Sequence, residues 1–424
     1  MSARLTPDLD SAEGLDGLFA DVAGAKTIAL AVSGGADSLA LMLLAGRWAK
    51  TSADAPKLIV YSVDHGLRPE AADEVAMVLE TAAGLGLAAR GLVWSGEKPE
   101  TGVQEAARVA RYRLMGAAMT EDGAEILLTA HHRQDQAETI LMRLAHGSGL
   151  EGLKGMGRFS RVEGVPLHRP LLGIEPGALR DIVMAAGLTP AEDPSNDDPS
   201  YERVRWRQFL PQLAEMGLDS AALAQFGARM ADADAAIAQM AEACFGEIVT
   251  LDGFGAARIA PEPFAGLGSA IATRLLARVL RIVGGRQKPH ALGQVEKLRA
   301  DIASGGPARA VTVLGCVIRR RDGALVVARE PGRALPPDRA LPAGGELLWD
   351  GRFRIANGSD DPGLVVSAAD YLPRRQLEQF LGFRVTAPAE ALRTAPIVRN
   401  GAGEVLALGG WSFDTRIGVE FLVD

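Results

Sequence analysis

The segment Ser33-Gly34-Gly35-Ala36-Asp37-Ser38 has the composition of a phosphate-binding loop. It follows an apolar run typical of a buried strand and precedes a segment with helical periodicity. Two consecutive glycines let the backbone turn tightly, so several N–H groups and the amino-terminal end of a helix can approach one anion. The hydroxyl groups of Ser33 and Ser38 could add donors. An ordinary strand-to-helix turn is the alternative, but the context favours a nucleotide phosphate site.

The carboxylate of Asp37 would repel a phosphate group placed in this loop. A Mg²⁺ ion between the carboxylate and the phosphate oxygens removes the conflict, and carboxylate oxygens suit that ion. The segment lacks the Gly-Lys-Ser/Thr lysine of the Walker loop, so transfer of a γ-phosphate is not implied. We therefore predict that ATP and Mg²⁺ bind here, with Asp37 facing the metal.

Further polar side chains follow the other apolar runs of the first half of the chain. They are Asp64 and His65, His131 and His132, Asp135 and Glu138, and Arg108 and Arg111. Asp135 and Glu138 are three residues apart near the start of a helical segment and therefore share a face. One of these carboxylates could bind an ammonium group, and it or a water could accept a proton. Arg108 and Arg111 could meet phosphate or adenylyl charge.

Each of these residues also has a simpler interpretation. The two histidines could finish a strand and bond locally, Arg108 could pair with Glu105 on a helix surface, and Asp135 could be favoured by the helix dipole. A His-x-x-x-Asp metal site is disfavoured, because it lacks the Glu and second His of a zincin helix. The joint occurrence of the residues at neighbouring strand ends favours a common site.

Strands and helices alternate through this half. The predicted strands are Thr27 to Val32, Leu58 to Val63, Ala88 to Val93 and Glu125 to Thr129; the predicted helices are Asp37 to Lys50, Pro69 to Leu85, Val103 to Thr120 and Gln134 to His146. Such alternation predicts a Rossmann-like α/β fold, with a parallel sheet covered on both faces. Ligands of these sheets bind beyond the carboxyl ends of the strands, where the polar clusters lie.

The remaining chain suggests two further domains. Helix-period segments at Ser220 to Phe245, Ala270 to Val283 and His290 to Ile302 predict an all-helical region. A Pro-rich stretch, Pro331 to Pro342, suggests a linker before a small α+β module. The predicted division is a catalytic domain over 1–215, a helical domain over 216–330 and an α+β domain over 331–424.

Composition excludes several classes of protein. Neither a signal peptide nor an apolar run of the roughly 20 residues that a membrane span needs is present, so we expect a cytoplasmic protein without a membrane partner. Cys244 and Cys316 are the only cysteines, which excludes a disulfide framework or a Cys-rich metal site. The net charge of −8 argues against a generally basic surface.

The phosphate loop resembles the signature of the PP-loop ATP pyrophosphatases. Four further segments resemble the tRNA(Ile)-lysidine synthetase family within that group, over about Thr27 to Leu210. They are Val63-Asp64-His65-Gly66-Leu67-Arg68, Ala107-Arg108-Val109-Ala110-Arg111-Tyr112, His131 to Thr139, and Gly147-Ser148-Gly149-Leu150.

This resemblance implies a two-step ligation. ATP is cleaved between its α- and β-phosphates, the C2 oxygen of the wobble cytidine of the isoleucine tRNA with a CAU anticodon is adenylated, and the amine of free lysine then displaces AMP. It implies catalytic roles for Asp37, Arg108 and Asp135. It also implies that lysine or the base is bound by Asp64, His65, Arg111, His131, His132, Asp135 and Glu138. Monomer and homodimer both stay open.

One segment departs from the family pattern. Family members usually have Arg-Asn-Arg-Ile-Arg where this chain has Arg203-Val204-Arg205-Trp206-Arg207, and His146 stands where Arg is common. If the segment is extended, its alternation places Arg203, Arg205 and Arg207 on one side, facing tRNA phosphates. The alternative is surface pairing with Asp193, Asp197, Asp198 and Glu202.

Three other functions are less well supported by the sequence. A tRNA thiolase needs reactive thiols or an iron–sulfur cluster, and the chain before Cys244 has no cysteine. A small-molecule amide-forming synthetase would not need the arginine segment. A tRNA-binding protein without activity would have no reason to keep Asp37 in an anion-binding loop.

Overall fold

The computed structural model describes residues 8–52, 55–96, 98–191, 198–285, 292–306, 309–370 and 372–423. The predicted partners Asp193 and Asp197, and the predicted helix start at His290, lie outside these ranges. Within them no helix is long and apolar enough to cross a membrane. The chain divides into two compact units, Met1–Asp232 and Ala233–Asp424. The division into three domains stays a prediction.

The first unit is built on a six-stranded sheet. Its strands are β1 (Thr27–Ala31), β2 (Lys57–Asp64), β3 (Ala88–Val93), β4 (Ile126–Leu128), β5 (Phe159–Val162) and β6 (Val165–His168). The order is β3-β2-β1-β4-β6-β5, with parallel pairing throughout except for β5, which runs antiparallel to β6 at one edge. The predicted parallel α/β fold is confirmed.

Helices of this unit connect the strands and lie on both faces of the sheet. They are α1 (Ala12–Phe19), α2 (Ala36–Thr51), α3 (Ala71–Gly84), α4 (Val103–Asp122), α5 (Arg133–Ala145), α6 (Leu150–Leu153), α7 (Pro176–Ala185) and α8 (Glu202–Glu215), with 3₁₀ turns at Ala20–Val22 and Pro170–Gly173.

Alternate side chains of β1 enter two different cores. Ile28 and Leu30 pack in a cluster that contains most of the apolar face of α2, whereas Ala29 packs in a second cluster with Tyr112 and Met115 of α4. Because successive strand residues point to opposite faces, both faces of the sheet are covered by helices. The strand ends are therefore the open part of the sheet.

The middle of the chain contains the predicted helices and also a sheet. The helices are α9 (Ser220–Ile248), α10 (Pro261–Ala265), α11 (Ser269–Gly284) and α12 (Leu292–Ala303). The antiparallel sheet has the order β7-β8-β11-β10-β9, formed by β7 (Val249–Leu251), β8 (Ala257–Ile259), β9 (Val311–Val313), β10 (Cys316–Arg321) and β11 (Ala324–Arg329). The region therefore contains both helices and strands, whereas its sequence had suggested helices alone. Three of these strands have only three residues, too few to show an alternating pattern.

The carboxy-terminal part has the predicted α+β composition. Its elements are β12 (Arg339–Leu341), β13 (Glu346–Trp349), β14 (Phe353–Asn357), β15 (Leu364–Ala368), α13 (Arg374–Leu381), α14 (Ala389–Arg393), β16 (Pro396–Arg399), β17 (Val405–Leu408), β18 (Trp411–Ser412) and β19 (Ile417–Phe421). They form two sheets, ordered β12-β15-β16-β17-β18 and β13-β14-β19. The stretch predicted as a linker contains β12.

Candidate active site

The glycine-rich loop connects β1 to α2 and is closed by its own serines. Gly34 has φ of +90°, a conformation that other residues adopt only with strain. The hydroxyl of Ser38 donates to the carbonyl of Gly35 at 2.9 Å and accepts from the N–H of Ser33 at 3.1 Å. The Ser38 hydroxyl therefore shapes the loop from inside, while Ser33 is exposed at its surface.

Asp37 lies in the first turn of α2 and contacts His132, which precedes α5. The Nε2 atom of His132 is 3.4 Å from Oδ2 of Asp37. Because Nδ1 of His132 accepts a hydrogen bond from the N–H of Asp135, the ring proton is assigned to Nε2, which faces Asp37. Burial lowers the pKa of His132, but the hydrogen bond to Asp37 and the charge of Asp135 outweigh it, and the pKa lies above its usual value.

His132 and Asp135 form a capping box at the start of α5. The side chain of His132 accepts from the N–H of Asp135 at 3.4 Å, and Oδ2 of Asp135 accepts from the N–H of His132 at 3.1 Å. These bonds satisfy two N–H groups that the helix itself cannot pair. They also fix both side chains, so the phosphate loop and the carboxylates of α5 are joined through His132.

Glu138 lies one turn further along α5 and is fully buried between two arginines of α8. Arg207 donates from Nε to Oε1 at 2.7 Å and from Nη2 to Oε2 at 3.4 Å, and Nε of Arg203 is 3.4 Å from Oε2. Nη2 of Arg207 also lies 3.8 Å from Oδ1 of Asp135. Burial raises the pKa of the Glu138 carboxyl, against the lowering effect of Arg207.

The arginine segment is helical, which corrects the extended arrangement assumed from its alternation. Arg203 and Arg207 are four residues apart on one face of α8 and point to Glu138. Arg205 lies elsewhere on the helix, is exposed, and donates to the carbonyls of Pro199 and Ser200. The three guanidinium groups therefore do not form one face. Of the predicted acidic partners, Glu202 contacts His146 and Trp206.

A second group gathers at the end of β2. The Nη2 of Arg111 donates to Nε2 of His65 at 3.0 Å, and Oδ1 of Asp64 accepts from the N–H of Gly66 at 2.6 Å. Burial and the neighbouring Arg111 lower the pKa of His65 to about 4. His65 is therefore a neutral imidazole at physiological pH, held by an arginine rather than by a carboxylate.

His131 and Arg108 lie close enough to interact electrostatically. The ring of His131 bonds to the hydroxyl of Thr129 at 3.0 Å, and burial lowers its pKa to about 4 although Asp135 acts in the opposite direction. Arg108 is exposed, lies 5.1 Å from the ring centre of Tyr112, and is close enough to His131 to act on its pKa. The structure thus brings Asp37, His132, Asp135 and Glu138 into one series of contacts and His65 and Arg111 into another.

Sequence analysis overlooked Arg169, a buried arginine directly after β6. Its Nη1 donates to the carbonyl of Gly157 and to the hydroxyl of Ser160, both at 2.8 Å. Its charge also acts on His131. The signal was available, since an arginine at a strand end in this fold stands where ligands bind.

The donor set supports a metal held partly by a nucleotide. Among the described residues no group of three or more His, Cys, Asp or Glu side chains could enclose a metal ion. Asp37 presents a partly exposed carboxylate beside the loop backbone, and Gly34 has the positive φ of a phosphate-binding turn. These residues fit a Mg²⁺ ion that takes its other ligands from phosphates and water.

Comparison with known proteins agrees with this geometry. A family model described as a PP-loop domain matches residues 7–213. The chain is 44% identical to the tRNA(Ile)-lysidine synthase of Rhodopseudomonas palustris over 327 residues, which cover 74% of this chain and 94% of the relative. It is 36% identical to that of Ruegeria pomeroyi over 403 residues, or 93% of this chain and 92% of the relative.

The chain belongs to the tRNA(Ile)-lysidine synthase family. It is therefore an enzyme, a ligase of tRNA modification with an ATP-binding PP-loop domain. The resemblance drawn from the loop and the four segments is confirmed. In this member of the family, His146 pairs with Glu202 at 3.1 Å, linking the end of α5 to the start of α8.

Proposed function

We propose that this enzyme ligates free lysine to C2 of the wobble cytidine of the isoleucine tRNA with a CAU anticodon. The C2 oxygen of cytidine attacks the α-phosphorus of ATP and pyrophosphate leaves. The amine of lysine then attacks C2, the oxygen leaves with AMP, and the amine loses a proton. The contact series from Asp37 through His132 to Asp135 carries this proposal, because it joins a phosphate loop directly to carboxylates suited to an amine.

The first step is supported by the loop between β1 and α2. Its backbone N–H groups and the start of α2 suit the departing pyrophosphate. Mg²⁺, bound through Asp37 and the phosphate oxygens, would neutralise charge on the phosphates. His132 donates toward Asp37 and orients its carboxylate. Ser33, Gly34, Gly35, Ala36 and Ser38 are the other proposed ATP-binding residues.

The second step is supported by the two carboxylates of α5. Asp135 and Glu138 lie one turn apart, and Asp135 is held in place by the capping box. An ammonium group near them would be stabilised by charge and hydrogen bonds. The neutral imidazoles of His65 and His131, with pKa values of about 4, add polar contacts without adding positive charge that would repel lysine. With Asp64 and Arg111 they are proposed to contact the base or lysine.

The tRNA is proposed to meet the exposed arginines of the first unit. Arg108 is exposed at the site, and its proposed catalytic role is to stabilise the charge of the adenylyl group. Arg205 is exposed on α8, while Arg203 and Arg207 are held by Glu138. Of the three arginines proposed for tRNA phosphates, Arg205 is the most exposed residue, and its guanidinium bonds backbone carbonyls rather than a carboxylate.

Incorporation of labelled lysine tests the proposal. The protein is incubated with Mg-ATP, radiolabelled lysine and a transcript of the isoleucine tRNA with a CAU anticodon. Label in the tRNA together with equimolar AMP and pyrophosphate supports the proposal. A transcript with the wobble cytidine changed to uridine is the matched control. Pyrophosphate release without labelled tRNA would favour a thiolase or an amide-forming synthetase.

The division of labour between the two steps is tested with Asp135→Asn. Because Asp135 is proposed to bind the amine and not the phosphates, the variant should still adenylate tRNA. Adenylated tRNA should then accumulate in a quench assay while lysidine formation falls by about 100-fold, the range for a positioned acid or base. Loss of ATP binding with unchanged lysine affinity would reverse the assignment.

A further inference from the structure

The two carboxylates proposed to bind lysine already have partners at every oxygen. Oε1 and Oε2 of Glu138 contact Arg207, and Oε2 also contacts Arg203. Oδ1 of Asp135 faces Arg207, and Oδ2 accepts from the N–H of His132. Arg207 contacts both carboxylates, so an ammonium group placed between them would take its position.

The partners differ in how easily they can leave. The His132 side chain is 6% exposed and is fixed at both ring nitrogens by Asp37 and by the capping box. The Arg207 side chain is 36% exposed and its contacts in this cluster are to side chains. Its flexible stem can turn toward water without breaking a helical hydrogen bond. Arg203 is similarly exposed, but it contacts Glu138 and Thr139, whereas Arg207 contacts Glu138 and Asp135, so Arg207 is the exchangeable cation.

We propose that Arg207 occupies the position of the substrate ammonium group and leaves it when lysine binds, so that the position between Glu138 and Asp135 holds one cation or the other. This inference rests on the proposed function and deepens it. Arg207 thereby acts as a positioning residue that keeps the lysine site closed and ionised until substrate replaces it. Arg203, at the edge of the pair and bonded to Thr139, stays in place.

The burial of Glu138 gives this exchange a measurable consequence. Its side chain is 0% exposed, and an ionised carboxylate at such a place needs a cation beside it. The charged groups that face it are Arg203 and Arg207 on α8 and Asp135 and His132 at the start of α5. Arg207 and Arg203 both lower the pKa of Glu138, so replacing Arg207 with an uncharged residue raises that pKa although Arg203 remains. Lysine binding to such a variant then releases more protons than lysine binding to wild type.

The test is calorimetric titration of free L-lysine into wild type and Arg207→Met, without ATP or tRNA. Each is measured in phosphate and in Tris, whose ionisation enthalpies differ, so proton release appears as a difference in heat. Wild type should release no proton, because one cation replaces another. Arg207→Met should release more protons than wild type, and the excess should grow as the pH falls. At higher pH its affinity should exceed that of wild type by about tenfold if Arg207 blocks the site nine-tenths of the time.

Arg205→Met is the matched control, since it removes the same side chain from the same helix but from a residue bonded to Pro199 and Ser200. Its lysine affinity and proton balance should equal those of wild type. Arg207→Gln guards against misfolding of the Met variant, because it keeps a hydrogen-bond donor and loses the charge. It should also release more protons than wild type.

Three results would overturn the exchange. One is weaker lysine binding by both Arg207 variants at every pH without proton release, which would make Arg207 a supporting contact. Another is a change of the same size in the lysine affinity and proton balance of Arg205→Met. The third is the absence of lysine binding to all proteins. The proposed function is judged separately by label transfer to tRNA, so proton release without transfer would sink the function and leave the exchange standing.

Discussion

The two units each contain a cluster of two arginines and one carboxylate, but the buried member differs. In the first unit the carboxylate of Glu138 is fully buried, while Arg203 and Arg207 are 41% and 36% exposed. In the second unit the guanidinium of Arg352 is fully buried, with Asp350 and Arg329 beside it. The first arrangement leaves the cations able to move. The second encloses the cation.

The contacts of the second cluster differ from those of the first. Arg352 donates to Asp350 at 2.9 Å and to the backbone carbonyl of Thr394. Arg329 donates to both oxygens of Asp350 and to the carbonyl of Gly315. Burial lowers the pKa of Arg352 to about 10. Because backbone carbonyls hold both guanidinium groups, this cluster belongs to the fold, whereas the cluster at Glu138 is held by side chains and suits exchange.

The largest expected effect is a loss of activity without a loss of stability, at Asp37 in the first unit. Asp37→Ala should abolish tRNA adenylation, by at least about 1,000-fold, because it removes the proposed metal ligand. The unfolding temperature should stay within a few degrees of wild type, since the side chain is partly exposed on a loop-to-helix junction. Pyrophosphate release and thermal unfolding measure the two effects.

Asp37→Asn is the control for the size of the side chain. It keeps the shape and loses the charge, so it should be nearly as inactive as the alanine variant. Normal turnover of either variant at saturating Mg-ATP would contradict the role of Asp37.

The next effect is the reverse, a loss of stability without loss of chemistry. Arg352→Met should destabilise the protein by about 3 kcal/mol, because it breaks a buried ion pair and leaves the carbonyl of Thr394 unpaired. Chemical denaturation measures the loss, and pyrophosphate release by the folded fraction should be unchanged. Arg354→Met, two residues away and paired with Glu420 at the surface, should cost about 1 kcal/mol or less. Equal costs would remove the distinction between the two clusters.

The sequence allowed the first sheet and its strand-end residues to be predicted because both depend on local patterns. The glycine loop, the alternation of β1 to β4 with α2 to α5, and the Asp135 and Glu138 spacing are visible within short windows. The pairing of Glu138 with Arg207 joins residues 69 positions apart and has no local signal.

The arginine segment shows how a local pattern can mislead. Arg203-Val204-Arg205-Trp206-Arg207 alternates as a strand does. In the structure Val204, Leu210 and Leu213 are buried along α8, and the cluster with Ile140 and Leu141 of α5 decides the conformation. Tertiary packing outweighed a five-residue pattern. The same limit hid the short strands β7, β8 and β9.

A smaller effect concerns the pH dependence of stability that arises from His65. The pKa of His65 is about 4 in the folded protein, against an ordinary value of 6.5. Between these values the unfolded chain binds more protons than the folded one, so stability rises with pH over this window and is lost as pH falls toward 4. His65→Gln should remove about 2 kcal/mol of this pH dependence between pH 4.5 and 6.5. Thermal unfolding at pH 4.5, 5.5 and 6.5 measures it, and an unchanged slope would contradict the burial of a neutral ring.

The smallest expected effect is that of Arg205, whose charge is neither enclosed nor used by a carboxylate. Arg205→Gln should leave stability unchanged and weaken tRNA binding slightly. The slope of log affinity against log salt should fall by roughly 0.7 to 0.9, the share of one phosphate contact. Three contacts would give a slope of roughly 2 to 3, but Arg203 and Arg207 are engaged by Glu138. Arg161→Gln is the matched control, because Arg161 is also exposed and bonds a backbone carbonyl, that of Gly164. A salt slope lowered equally by both variants would indicate general charge attraction, and a slope unchanged in Arg205→Gln would remove α8 from the tRNA surface.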